Sequence, residues 1–195
     1  GSFKPASINF YSNITTGELN GHDIFNGWLM HGKFSGVLWG KLIKRTLFVK
    51  AFEYIPYTEC SMGEDFLLTF YLSLNAEKYI GIKDKVYLYR ITDGISSSRK
   101  IDSLQRWKMI CSSSSIFSIV STWLEENKNA VTDDELAAVK NRTARYLANC
   151  LIQMKEAVIP ELKKEARSML CEYWGRSFVE RIEKVISGNR QFLQK

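Results

Sequence analysis

Ser61-Met62-Gly63-Glu64-Asp65-Phe66-Leu67-Leu68-Thr69-Phe70-Tyr71-Leu72-Ser73-Leu74-Asn75 is the most apolar stretch of the chain that also carries a helix-start signal. Ser61 followed three residues later by Glu64 fits a capping box, in which the Ser hydroxyl caps the helix and the Glu side chain reaches back. No charge interrupts the run from Phe66 to Asn75. The predicted helix, Glu64 to about Asn75, is therefore buried on most sides rather than along one stripe. Such a helix needs other elements around it, and 195 residues suffice for one domain, or for one domain with a smaller lobe.

Upstream, residues 3–17 read as an extended segment with turn residues at Lys4-Pro5 and Thr16-Gly17. From Glu18 to Met30 the apolar residues Leu19, Ile24, Phe25, Trp28 and Leu29 fall on a helical stripe, which Gly32 stops. A second helix is predicted over Val37 to Val49, with Leu38, Leu42 and Leu47 or Phe48 on one side. Lys50 to Cys60 reads as a loop, because Pro56 bars helix continuation. Downstream, Tyr79 to Ile82 and Val86 to Ile91 have the β-branched and aromatic content of short strands. Asp93-Gly94 turns the chain into Ser96-Ser97-Ser98.

From about residue 100 the pattern is helical alone. Asp102-x-x-Gln105 opens a helix to about Glu126, and Thr132-x-x-Glu135 opens another to about Val158. Pro160 suits the first turn of a third, ended by Gly175. Ser177-x-x-Glu180 opens a fourth that fades at Gly188. The expected architecture is an α+β piece over residues 1–99 followed by an all-α lobe over residues 100–195, mostly helical overall.

Composition narrows the function classes. Three prolines and 12 glycines exclude a collagen-like or Pro/Gly-rich disordered chain. With 27 basic and 21 acidic residues the formal charge is only +6, without a block of five like charges, so nucleic acid is not an expected partner. The longest charge-free run, Met109 to Leu124, is studded with Ser and Thr and does not read as a membrane span. Cys60, Cys111, Cys150 and Cys171 are widely separated, form no CxxC pair and have no histidine nearby. They read as reduced thiols of a cytoplasmic protein rather than zinc ligands. The opening Gly1-Ser2-Phe3 lacks an initiator methionine and has the look of a tag scar, so an excised piece of a longer protein is expected.

One place could hold chemistry. Glu64-Asp65 opens the most apolar helix, and a Tyr-rich strand leading to Arg90 follows. A carboxylate at a helix N-terminus is favoured as the anion, and at a pocket mouth it can take a proton from a hydroxyl. The capping box accounts for Glu64 by itself, and a first-turn acid such as Asp65 is also ordinary structure.

Three stretches in order carry a resemblance. They are Leu38-Trp39-Gly40-Lys41-Leu42-Ile43-Lys44-Arg45, Met62-Gly63-Glu64-Asp65-Phe66-Leu67-Leu68 and Val86-Tyr87-Leu88-Tyr89-Arg90-Ile91-Thr92-Asp93-Gly94-Ile95-Ser96. Over about residues 18–98 the chain resembles the acceptor-side half of a glycosyltransferase family 2 domain. The resemblance implies that residues 1–99 are a fragment of a GT-A-type α/β catalytic domain and 100–195 its C-terminal helical lobe. It implies an inverting transfer from a nucleotide-sugar donor to a glycan acceptor, as in bacterial surface polysaccharide synthesis. Asp65, beside Glu64, would be the general base. Trp39 would be a sugar-stacking platform or a core tryptophan. Lys41 and Arg90 would face the diphosphate or acceptor, or be solvated or ion-paired cations.

The chain departs from that family where the donor is held. It has no P-x-Y-N strand, no Asp-rich nucleotide turn and no D-x-D, and Asp133-Asp134 falls at a helix start where capping explains it. The missing N-terminal half is then a partner. The Mg²⁺ or Mn²⁺ the family uses is expected only in the full-length enzyme, and this piece alone should bind none and be inactive. His22 and His31 are lone histidines, either metal-facing or simply packed or solvated. In the lobe, Lys155, Lys163, Lys164, Arg167, Arg176 and Arg181 form either a solvated face or a contact with the inner face of an anionic membrane. The alternative to an enzyme is a non-catalytic helical module that binds a protein or a membrane surface.

Overall fold

In a computed structural model, which describes residues 15–84, 87 and 100–188, the first described element is strand β1 (Gly17–Asn20). Helices α1 (His22–Leu29), α2 (Arg45–Glu53) and α3 (Glu64–Asn75) follow, then strand β2 (Lys78–Gly81). The remaining elements are helical. They are α4 (Leu104–Cys111), α5 (Ser113–Glu126), α6 (Asp133–Glu156), a 3-10 turn (Pro160–Leu162), α7 (Lys163–Trp174) and α8 (Arg176–Gly188). The described residues are thus mostly helical, with one two-stranded sheet. None of their helices is long and apolar enough to cross a membrane.

The described residues form two compact units. The first holds 15–58, 64–84, 87 and 119–138, and the second holds 59–63, 100–118 and 139–188. Helices α5 and α6 each contribute to both.

In the first unit, β1 and β2 pair antiparallel, Gly17 opposite Gly81 and Leu19 opposite Tyr79. Glu18 and Lys78 cross the pair as an ion pair at 2.7 Å. Gly81 is required there, because a Cβ would run into the Thr15 carbonyl. The helix expected from Glu18 is therefore shorter. Its first residues are taken by β1, and Gly21 at φ 51° turns the chain before α1 begins. The core is aromatic. Phe25 meets Phe70 edge-on at 5.4 Å, Trp28 lies 5.4 Å from Phe66, and Trp123 meets Tyr71 edge-on at 5.6 Å. Phe25, Phe70 and Tyr71 are wholly buried, and each of the two phenylalanines contributes about 1.5–3 kcal/mol of burial free energy.

Helix α3 runs as expected, but its start differs. It begins at Glu64, after Gly63 at φ 93°. Glu64 is therefore not the third helical residue, and the Ser61 amide donates to Ser112 Oγ at 3.0 Å instead of to Glu64. The capping box that does form is Thr132-x-x-Glu135. The Thr132 amide donates to Glu135 Oε2 at 2.9 Å, and the Glu135 amide donates back to Thr132 Oγ1 at 3.2 Å.

The helix expected over Val37 to Val49 is displaced. Gly40 sits at φ 73°, in the left-handed region closed to an α-helix, and α2 starts only after Lys44. The single helix expected over Asp102 to Glu126 is two, with its cap at Ser103, whose hydroxyl accepts from the Arg106 amide. The break is at Ser112. There Ser112, Ser113 and Ser115 each donate a hydroxyl to the carbonyl three residues back, at 2.6–2.8 Å, and so compete with the helical ladder.

In the second unit, Trp107 Nε1 donates to the Ala166 carbonyl at 2.8 Å, Phe117 packs 4.8 Å from Tyr146, and Ile101 bridges Val158. Pro160 and Gly175 bracket the third predicted helix as expected, with Gly175 at φ 81° ending α7. All four cysteines are free thiols, Cys60 half-buried and the others buried, and burial pushes Cys150 up to about 12. The expected strand Val86 to Ile91 apart from Tyr87, the turn at Asp93-Gly94 and most of the extended segment 3–17 lie outside the described residues.

Candidate functional site

The residues that interrupt the expected second helix are the ones fastened to α3. Thr69 Oγ1 donates to the Gly36 carbonyl at 2.6 Å, and the Leu38 amide donates to Asp65 Oδ1 at 3.3 Å. Asp65 and Thr69 are four residues apart and so share a helix face. One side of α3 thus holds both ends of Gly36–Leu38, and the Ser35 hydroxyl accepts from the Val37 amide at 3.2 Å. A Cβ at Gly36 would lie 3.0 Å from Trp28 Nε1, so a larger residue there requires the indole to shift. Beyond Gly40 the chain turns back, and Lys41 Nζ donates to the Val37 carbonyl.

This turn sets the charge state of Asp65. Burial raises its carboxyl pKa, the neighbouring Glu64 raises it further, and the Leu38 amide and the Lys41 ammonium only partly offset them. The cation is perturbed in the complementary sense. Burial lowers Lys41 to about 8, against the pull of Asp65, which raises it. A carboxylate held in place by one amide, raised from its ordinary value and acted on by a lysine lowered to about 8 is a competent proton acceptor.

Of the residues singled out in the sequence, Asp65 and Lys41 come together. Trp39 lies in the same turn and stacks on Tyr87, ring centroids 5.4 Å apart at 24°. Glu64 is exposed and acts on the site through its charge. Arg90 lies outside the described residues. His31 is exposed, and His22 is bound elsewhere, its Nε2 on both carboxylate oxygens of Glu135 at 2.8 and 3.0 Å. No group of three His, Cys, Asp or Glu residues suited to a metal ion occurs among the described residues.

Among the lobe cations, Arg167 pairs with Glu183 at 2.8 Å, Lys163 donates to the Lys155 carbonyl, and Arg181 lies over Phe178. Much of that charge is therefore engaged within the helical unit itself.

Sequence reasoning missed Gly36, Thr69 and Tyr87 as parts of the site. A signal existed for one of them. Asp65 and Thr69 stand four residues apart on an otherwise apolar helix, which puts two polar groups on one face. Comparison of the chain with family models, curated proteins and solved structures gives no match.

Proposed function

We propose that this chain is the acceptor-side part of an inverting, nucleotide-sugar-dependent glycosyltransferase and that Asp65 is its general base. The observation that carries the reading is the joining of two motif stretches far apart in sequence. The Leu38 amide is bonded to Asp65, and Lys41 of the same turn acts on that carboxylate. In the reaction Asp65 takes the proton of the acceptor hydroxyl as that oxygen forms its bond to the anomeric carbon. The bond from that carbon to the nucleoside diphosphate breaks on the opposite face, and the electron pair leaves with the diphosphate. The Trp39–Tyr87 stack is an aromatic surface on which an acceptor sugar can rest, and Lys41 supplies positive charge beside the base. The nucleotide and the divalent cation implied by the family resemblance would be held by the N-terminal half of the parent enzyme.

The test is sugar transfer by the full-length parent enzyme across a panel of nucleotide-sugar donors, with Asp65→Asn as the comparison. Loss of a general base costs about 10²–10⁴-fold in turnover, and that loss is the expected outcome. Full activity in Asp65→Asn refutes the reading. The rival, a non-catalytic interaction module, draws on the groove lined by Lys164, Arg167, Ser168, Cys171 and Arg176, and predicts no transfer from any donor.

A further inference from the structure

Four apolar side chains between residues 42 and 57 face solvent. Leu42 is fully exposed, Tyr57 is 96% exposed, and Val49 and Phe52 are about half exposed. Helix α2, which carries two of them, is anchored mainly by Ala51, wholly buried, and by the half-buried Leu47 and Phe48. Its outer side, where Arg45, Thr46, Val49, Lys50 and Glu53 line a shallow groove, is left open. Cations are interleaved with this apolar surface. Lys44, Arg45 and Lys50 are exposed, and among the described residues none of them makes an ion pair. Residues 42–57 hold three cations, Lys44, Arg45 and Lys50, and one carboxylate, Glu53.

We propose that the Leu42–Tyr57 surface docks on a membrane bearing anionic phospholipid headgroups. Exposed leucine, valine, phenylalanine and tyrosine enter the boundary between headgroups and acyl chains, while Lys44, Arg45 and Lys50 lie at the level of the phosphates. Charge complementarity selects this occupant over a protein. The core of a protein interface is depleted of lysine, whereas here Lys50 lines the same groove as Val49, with Arg45 beside them. The contrast with the helical unit points the same way, because there Arg167 already has Glu183. The proposal goes beyond glycosyl transfer and rests on none of its residues.

The test is co-sedimentation of the whole chain with phosphatidylcholine vesicles, with and without phosphatidylserine. Two variants accompany it, Leu42→Ser/Phe52→Ser and Lys44→Glu/Arg45→Glu/Lys50→Glu, with circular dichroism as the check on folding. If either variant is unfolded, Leu42→Ser and Lys44→Glu, both outside any helix, replace it. The wild-type chain is expected to sediment only with phosphatidylserine vesicles, less so at high salt. Each folded variant is expected to bind at least about tenfold more weakly. Three results overturn the proposal: no binding by the wild-type chain, undiminished binding by both folded variants, or a wild-type dimer in sedimentation velocity that Phe52→Ser converts to monomer.

Discussion

Glu135 offers the most quantitative perturbation in the molecule. Its side chain is wholly buried and accepts from His22 and Asn26 on Oε1, at 2.8 and 3.3 Å. Oε2 accepts from the Thr132 amide and hydroxyl, at 2.9 and 3.2 Å. In Glu135→Gln one oxygen becomes an NH2 group that can only donate, so the Thr132 amide loses its acceptor unless His22 changes tautomer and Asn26 flips to receive that group. In either arrangement the bonds to a buried charge are lost, which costs about 1–3 kcal/mol. At about 2–4 °C per kcal/mol for a chain of this size, the transition that melts the first unit should fall by several degrees.

The pH dependence supplies a second constraint. Burial raises the Glu135 pKa, but the Thr132 amide, His22 and Asn26 outweigh it and hold the carboxyl below its ordinary value. A depressed carboxyl stabilises the fold above its unfolded pKa, about 4.3, and that stability is lost as the pH falls through the folded value. Urea unfolding near pH 5.5 should therefore separate wild type from Glu135→Gln by about 1–3 kcal/mol, with the gap narrowing as the pH falls below the unfolded value, about 4.3. Equal stabilities near pH 5.5, or a gap that persists in acid, would refute the account of Glu135 as a charged hub.

Two further outcomes concern the Asp65 turn. In a ¹³C titration of the lysine ε-carbons, Lys41 should titrate alone near pH 8, since burial lowers it to about 8, and Asp65→Asn should move it lower still by removing the charge that raises it. Asp65→Asn should also leave the protein at least as stable as wild type at pH 7, measured by urea unfolding. The raised Asp65 pKa withholds stability at neutral pH and returns it as the pH falls through the folded value, and an amide oxygen can still accept from Leu38. A clear loss of stability in that variant would show Asp65 to be a structural ion rather than a strained one.

The sequence exposed those parts of the fold whose cause is local. Thr132-x-x-Glu135 forms its box because both partners lie within one turn, and Gly175 ends α7 through its own φ. The errors fall where a distant partner decides. Ser61 has the right spacing for a cap, but its amide goes to Ser112, far along the chain. Glu18 to Asn20 sit in phase with a helix and yet are drawn into a strand by Lys78 to Gly81. The uninterrupted helix expected across Val37 to Val49 fails for the same reason, as Gly36 and Leu38 are bonded to Thr69 and Asp65. For the site, residue type and order were enough to nominate Asp65 and Lys41, but not Thr69 or Tyr87, which only the folded turn brings in.

That failure of helix prediction and the chemistry of the site have one cause. Had Val37 to Val49 formed a helix, the Leu38 amide would have been one of its first-turn donors, left to a cap or to water, and Lys41 would have ridden on a helix face. The left-handed Gly40 instead folds the lysine back onto the Val37 carbonyl and frees the Leu38 amide for Asp65. The same closure buries both charged groups, which raises the acid and lowers the base toward each other. Burial of this kind opposes folding at neutral pH, because each group is held in an environment that disfavours its charge. It also makes the carboxylate a stronger proton acceptor than an ordinary surface aspartate, which is what a general base requires. Asp65→Asn tests whether that basicity serves the proposed transfer, because it removes the base while keeping the hydrogen bond.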